Sequence, residues 1–165
     1  MRHLTTALVL GAALSATLVL MAATPANVLA SGSATFPSQT VGPLEMELTL
    51  IELPNGKVVG HGRQEAPDVG GYHEYDITSW AMLGDTLCMA GPITASVNTP
   101  FPVGATWVVC VEDNGNGGSG TPDRVATAAA PPGLTIQLIL MFFPGFLPPP
   151  DSQFQPISAG DITIH

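Results

Sequence analysis

The side chains best spaced for chemistry lie in one loop, Glu112-Asp113-Asn114-Gly115-Asn116-Gly117-Gly118-Ser119-Gly120-Thr121-Pro122-Asp123. Counted from Glu112, oxygen-bearing side chains fall at positions one, three, five and twelve, with glycine at six. A hard cation such as calcium needs six to eight oxygens around a sharp glycine turn, and this order echoes a twelve-residue calcium loop. Glu112, Asp113, Asn114, Asn116 and Asp123 are therefore the candidate ligands. Two departures stand against them: Glu in place of Asp at the first position, and Asp in place of a bidentate Glu at the last. A glycine- and asparagine-rich connection between strands accounts for the same composition.

Other chemistry is thinner. His61, His73 and His165 have no zinc-ligand spacing. There is no Gly-x-Ser-x-Gly elbow and no His-Glu-x-x-His pair, so no residue is assigned a catalytic role. Glu74 and Asp76 share one face of a strand, with His73, Tyr75 and Arg63 as candidate neighbours for acid–base work. Solvated or paired carboxylates are the plainer reading. A deep pocket containing His73, Glu74 or Asp76 would favour an extracellular hydrolase or a barrel holding a small ligand, whereas a filled core and an exposed aromatic loop would favour a binding module.

The elements that must position these groups are short and punctuated. The chain has 18 glycines and 16 prolines, and only 10% of its residues are charged, which points to an all-β domain. Leu44, Met46, Leu48 and Leu50 alternate with Glu45, Glu47 and Thr49, the pattern of a half-buried strand. Pro54-Asn55-Gly56 then makes a tight turn that pairs Leu53 with Lys57, Leu50 with Gly60 and Leu48 with Gly62, leaving His61 outward. Tyr72 to Leu83 and Thr86 to Val97 form a second hairpin around Gly84-Asp85. Its register sets Trp80 opposite Met89 and Met82 opposite Leu87.

A loop from Asn98 to Gly104 leads to a strand over Ala105–Asp113 with Trp107, Val109 and Val111 inward. That register places Cys88 directly opposite Cys110 on the outer face. Facing Cβ atoms on adjacent strands lie about 4.5–5.5 Å apart, close enough for a disulfide. Arg124 to Ala130 and Ile157 to His165 supply later strands. The whole predicts an antiparallel meander of about seven or eight strands, closed as a sandwich or small barrel.

Between those late strands, Leu134 to Phe143 (LTIQLILMFF) is strongly apolar but far short of a membrane span. It is expected as a core strand. If it projects, Phe142, Phe143, Phe146 and Leu147 form a patch for a partner, such as an extracellular protein or glycan.

The first thirty residues read as a cleavable secretory signal helix. Arg2 and His3 precede the apolar run Ala7 to Ala23, and Val28-Leu29-Ala30 offers small residues for cleavage after Ala30. Residues 31–43 then read as a flexible lead-in and 44–165 as one β-domain. Export implies an oxidising compartment, which favours the disulfide. It also leaves only Lys57, Arg63 and Arg124 against the chain's 13 acidic residues. No phosphate-neutralising patch exists, so nucleic-acid binding is excluded, and no stable membrane span is expected after cleavage.

The run GHG, YDITSW, GDTLCMAGPITAS, WVVCVEDNGNGGSGTPD and GDITIH resembles an uncharacterised group of secreted bacterial all-β domains. Those domains carry a V-x-D-N-G-x-x-G…D loop and a closing G-[DN]-I-x-[IV]-H strand. The likeness covers about residues 44–165 and rests mainly on Asp113-Asn114-Gly115 and Gly160 to His165. It implies fold and export, and no biochemical activity. Together these features predict a secreted, non-enzymatic β-module with a structural or binding role.

Overall fold

The computed structural model describes residues 26–38, 40–115 and 122–165. The apolar run of the expected signal lies outside the described residues.

Among the described residues, ten strands run in chain order: β1 (Asn27–Phe36), β2 (Leu44–Glu52), β3 (Val58–Ala66), β4 (Gly71–Ile77), β5 (Ser79–Leu83), β6 (Thr86–Val97), β7 (Thr106–Glu112), β8 (Arg124–Ala130), β9 (Gln155–Pro156) and β10 (Ala159–Ile164). One helix, α1 (Ile136–Phe142), sits between β8 and β9. The spatial order is β10-β1-β2-β3-β4-β6-β7-β8-β9, with β5 beside β6. All pairings are antiparallel. The sheet curls into an open half-barrel, and its concave side holds the main core around Met46, Leu50, Tyr75, Met89, Trp107, Val111 and Ile162.

The expected hairpins are present in their expected register. Leu50 faces Gly60 and Leu48 faces Gly62. The Pro54-Asn55-Gly56 turn closes with Leu53 N–H donating to the Lys57 carbonyl at 2.8 Å. Trp80 faces Met89 and Met82 faces Leu87. These contacts follow from alternation and turn type, which are local properties.

The curl has a local cause in β6. Residues Thr86–Ala90 pair with β5, whereas Ile93 to Val97 pair with β4, so one long strand serves two neighbours. The switch occurs at Gly91, where a Cβ would stand 1.9 Å from the Asp76 carbonyl oxygen. Only glycine lets the two backbones approach this closely. Gly91→Ala must separate them, and we expect it to lower unfolding stability by about 2 kcal/mol in urea melts. A cost below about 0.5 kcal/mol, the range of ordinary surface substitutions, would show that the bend tolerates a side chain.

Three expectations are corrected. Residues 31–36 are not a flexible lead-in but belong to β1, which lies between β2 and β10. The sheet therefore includes Asn27–Phe36, ahead of Leu44. Ala30, Ala34 and Phe36 point inward, a period of two written mostly in small residues. Small size is required there, because a Cβ on Gly32 would stand 2.0 Å from the Asp161 carbonyl oxygen of β10. Hydrophobic periodicity therefore missed the strand.

The second correction concerns Leu134 to Phe143, which forms α1 and no core strand. Thr135 caps it, its hydroxyl accepting from Leu138 N–H at 3.3 Å. Ser79 anchors it to β5 by accepting from Ile136 N–H at 3.0 Å. Third, the strand count rises beyond seven or eight, because β1 and the two-residue β9 were not foreseen and the expected arm Tyr72 to Leu83 is two strands, β4 and β5.

The helix also changes the meaning of the outer face. Cys88 and Cys110 are paired, joined by a disulfide, and fully buried. Ile136 and Ile139 of α1, with Leu147 and Phe154, cluster with them as a second core. The apolar segment is thus a cover for the convex face of β6–β8.

Candidate functional site

Four of the five candidates in the loop with the calcium-like spacing are described, and three of them, Glu112, Asp113 and Asp123, accept hydrogen bonds from protein groups. Glu112 turns to Arg124, whose Nε donates to Oε2 at 2.7 Å, and it also accepts from the Thr86 hydroxyl at 3.3 Å. Asp123 Oδ1 accepts from Asn114 N–H at 2.8 Å, and the Asn114 amide donates to the Pro122 carbonyl. Asp113 Oδ1 accepts from Gly115 N–H at 2.8 Å. Asn116 lies outside the described residues. Among the described residues, no group of three or more His, Cys, Asp or Glu side chains is arranged to hold a metal ion.

The described part of the loop closes a seam. Asp113 Oδ2 accepts from Ile164 N–H of β10 at 3.0 Å, and Ile157 N–H donates to the Asp123 carbonyl. The Asp-Asn-Gly loop and the terminal Gly160 to His165 strand, separate in sequence, therefore meet across the mouth of the half-barrel. Burial raises the Asp123 pKa, and Asp161 and Asp113 beside it raise it further. A carboxylate with a raised folded-state pKa favours folding at acid pH and loses that contribution as pH rises through its own pKa. Asp123→Asn keeps the acceptor for Asn114 N–H and removes the charge. We expect it to raise the melting temperature at pH 7, with the gain shrinking toward pH 4. A lower melting temperature at pH 7 would show that the charge itself holds the seam.

The acid–base candidates divide between the two faces of the sheet. On the outside, Glu74 accepts from Arg63 Nη1 at 2.9 Å, and Asp76 lies 3.6 Å from His61. Arg63 also binds Glu65 and stacks over Tyr72, its Cζ 4.2 Å from the ring centroid. Inside, His73 and Tyr75 are 2% and 1% exposed. Strand alternation separates His73 from Glu74 and Asp76 completely, so they cannot act together.

His73 instead belongs to a cavity of about 400 Å³ at one end of the half-barrel. Its ring centroid lies 4.3 Å from that of Trp107, nearly edge-on, and 5.6 Å from that of Phe101. Phe101 and Trp107 are 4.7 Å apart. Gln64, on β3 opposite His73, is 5% exposed and completes the polar part of the wall. Val41, Val69 and Pro100 come from three loops at the rim.

Among the described residues, three buried side-chain atoms of residues that line the cavity have no hydrogen-bond partner, Gln64 Oε1, His73 Nε2 and Trp107 Nε1, and each exposes almost no surface. The Tyr75 hydroxyl is a fourth such atom, but it lies behind His73, its ring against Gly62, where a Cβ would be 2.3 Å from Cζ. Burial pushes the phenol pKa up and lowers that of His73 to about 4, so both are neutral at physiological pH. Buried polar groups are nearly always bonded, and each orphan carries an unrelieved desolvation cost of about 1–3 kcal/mol. Sequence reasoning singled out His73 and Trp107 separately but missed Gln64 and Phe101 as their companions.

The aromatic patch is present in a reduced form. Met141, Phe142, Phe143 and Phe146 are exposed by 69%, 64%, 47% and 39%. Leu147 is buried beneath them against the disulfide side of the sheet, and so leaves the expected set. Helix geometry explains the split: Ile136 and Ile139 take the inward face of α1, and the residues following Leu140 rotate outward.

No helix among the described residues is long and apolar enough to cross a membrane. No protein-family pattern, curated protein or solved structure matches this chain.

Proposed function

We propose that this chain is an exported, non-enzymatic β-module that holds a small molecule in the cavity beneath Val41, Val69 and Pro100. The observation that carries the reading is a mostly apolar cavity of about 400 Å³ whose lining includes the buried Gln64, His73 and Trp107. Ligand sites combine these features: a cavity of about 300–1,000 Å³, apolar lining and a few convergent polar groups. A disulfide between β6 and β7 and the signal-like first residues support export. The separation of His73 from Glu74 and Asp76 supports binding over acid–base chemistry by that trio.

The test is a thermal-shift screen of chemically diverse small molecules against the exported protein and a Thr127→Trp variant. Thr127 lines the cavity from β8, and tryptophan there would fill it. Compounds that stabilise the native protein and lose their effect in the variant support the reading; a screen with no such compound sinks it.

Export also sets the processed end. Cleavage after Ala30 would remove Asn27 to Ala30 from β1, and with them fully buried Ala30 and the Leu29 carbonyl that accepts from His165 N–H. Mass spectrometry of the secreted protein is expected to place its first residue at or before Asn27. A start at Ser31 would show that β1 tolerates losing its first four residues. A second reading, docking of a partner through Met141, Phe142, Phe143 and Phe146, rests on their shared exposure.

A further inference from the structure

We propose that the outer edge of β8, from Thr127 to Ala130, receives an extended peptide segment of a partner protein, apolar at its centre and basic at its ends. The segment adds one strand to the sheet. The proposal takes from the reading above only that the cavity admits an occupant; the edge is a separate observation.

The backbone of β8 carries the argument. Ile157 N–H donates to the Asp123 carbonyl at 2.8 Å, so Asp123 turns its backbone groups away from β7. Those groups alternate sides along a strand, and Val125, Thr127 and Ala129 turn theirs the same way. Strand β9 meets this edge only at Arg124 and Val125. Among the described residues, the outward N–H and C=O groups of Thr127 and Ala129 therefore have no strand to pair with. Ala129 is exposed, and Thr127 and Ala130 are half-buried. Open edges are commonly blunted by lysine, proline or a bulge, and Thr127-Ala128-Ala129-Ala130 has none of these.

On both faces of this edge the protein offers a place for a side chain. Thr127 and Ala129 lie opposite Val109 and Trp107 on the concave face, and line the cavity of about 400 Å³. Ala129 also lines a hollow of about 80 Å³ on the convex face, with Ala130, Leu134, Phe143 and Phe146. Successive side chains of a strand point to opposite faces. A strand on this edge therefore sends one side chain into the cavity and its neighbour against Phe143 and Phe146. The exposure of those two rings acquires a purpose, since they stand where the outer side chains fall.

Charge sets the flanks. The chain carries a net charge of −9, Glu65 lines the cavity, and exposed Asp68 adjoins Val69 at its rim. Among the described residues, no lysine or arginine lines either hollow. Arg63 and Arg124 are held by Glu74 and Glu112. Basic ends are drawn to such a surface, and acidic ends are repelled.

The probe is the end-blocked heptapeptide KVFLFVK, its binding followed by calorimetry and by amide hydrogen exchange. Binding is expected to slow exchange at Thr127 and Ala129 at least about tenfold. Two further forms carry N-methyl groups on alternate amides, one set on each edge of the strand. The form methylated on the docking edge is expected to bind at least about tenfold more weakly, and the other as well as the parent. Ala129→Pro removes an N–H that β7 does not use, a change edge strands tolerate, and is expected to cost a similar factor. The peptide EVFLFVE is expected to bind about tenfold more weakly at low salt. Equal binding of the two methylated forms or of the two charge forms would overturn the proposal. So would unprotected Thr127 and Ala129 amides, or no binding of KVFLFVK below about 1 mM. Protection of those amides in a dimer of the protein alone would also overturn it, because a second copy would then be the occupant. If the peptide fails while small molecules bind the native and Ala129→Pro proteins alike, the cavity reading stands and the strand falls. If the peptide binds as expected and the small-molecule screen is empty, the strand stands and the small molecule falls.

Discussion

Replacing Cys88 and Cys110 together by alanine is expected to cost about 3 kcal/mol of unfolding free energy and to lower the melting temperature by roughly 10 °C. The estimate comes from loop closure. The two residues are 22 apart in sequence, and the cross-link denies the unfolded chain the conformations in which β6 and β7 separate. Position strengthens the expectation. Both residues are fully buried in the small core formed with Ile136, Ile139, Leu147 and Phe154, so alanine also leaves space beneath α1. Burial further predicts slow reduction: dithiothreitol reaches the sulfurs only when the cover over the convex face opens. Urea melts of the oxidised protein and of the double variant check the first claim. A difference under about 1 kcal/mol would mean that the cross-strand ladder holds the unfolded chain's ends together without the bond. Thiol trapping in native buffer checks the second, and immediate labelling would show that the cover is already open.

Acidification from pH 7 to pH 4 is expected to cost the native protein about 3 kcal/mol more than it costs a His73→Phe variant. Burial lowers the His73 pKa from the ordinary 6.5 to about 4. The unfolded chain therefore takes up a proton as pH falls through 6.5, while the folded protein resists until about 4. Stability from this residue is intact above 6.5 and drains away across that window. Asp123 acts with the opposite sign, because its raised pKa favours folding at acid pH, but that contribution is common to both proteins and cancels in the comparison. Denaturant melts at intervals between pH 7 and 4 would trace the difference. Parallel stability curves for the two proteins would show that water or a neighbouring group reaches the imidazole in the folded state.

Much of the framework was legible in the residues, and the reasons differ from element to element. The pairings of Leu48 with Gly62, Trp80 with Met89 and Cys88 with Cys110 could be read by counting outward from turns, since a turn type fixes the residue count and alternation fixes the face. Strand β1 could not, because all its inward positions but Phe36 are alanine or glycine, with Gly32 closely approaching β10, and carry little hydrophobic signal. The apolar run from Leu134 to Phe143 was ambiguous at its length, where a buried strand and a short covering helix have the same composition. Its status as α1 depends on Ser79 and on the disulfide face waiting to be covered.

By itself, then, the sequence determined the all-β class, the hairpin registers and the cysteine pair. Each is settled by neighbours within one or two turns of chain, or by composition alone. Only tertiary structure decided the sites. Asp113 became a clasp for Ile164 because the sheet curls at Gly91 and brings β10 round to the end of β7. Gln64, His73, Phe101 and Trp107 came to share one cavity because that same curl turns the inner faces of β3, β4 and β7 toward each other. Curvature is a property of the whole sheet, set where two backbones may touch, and no window of residues along the chain displays it.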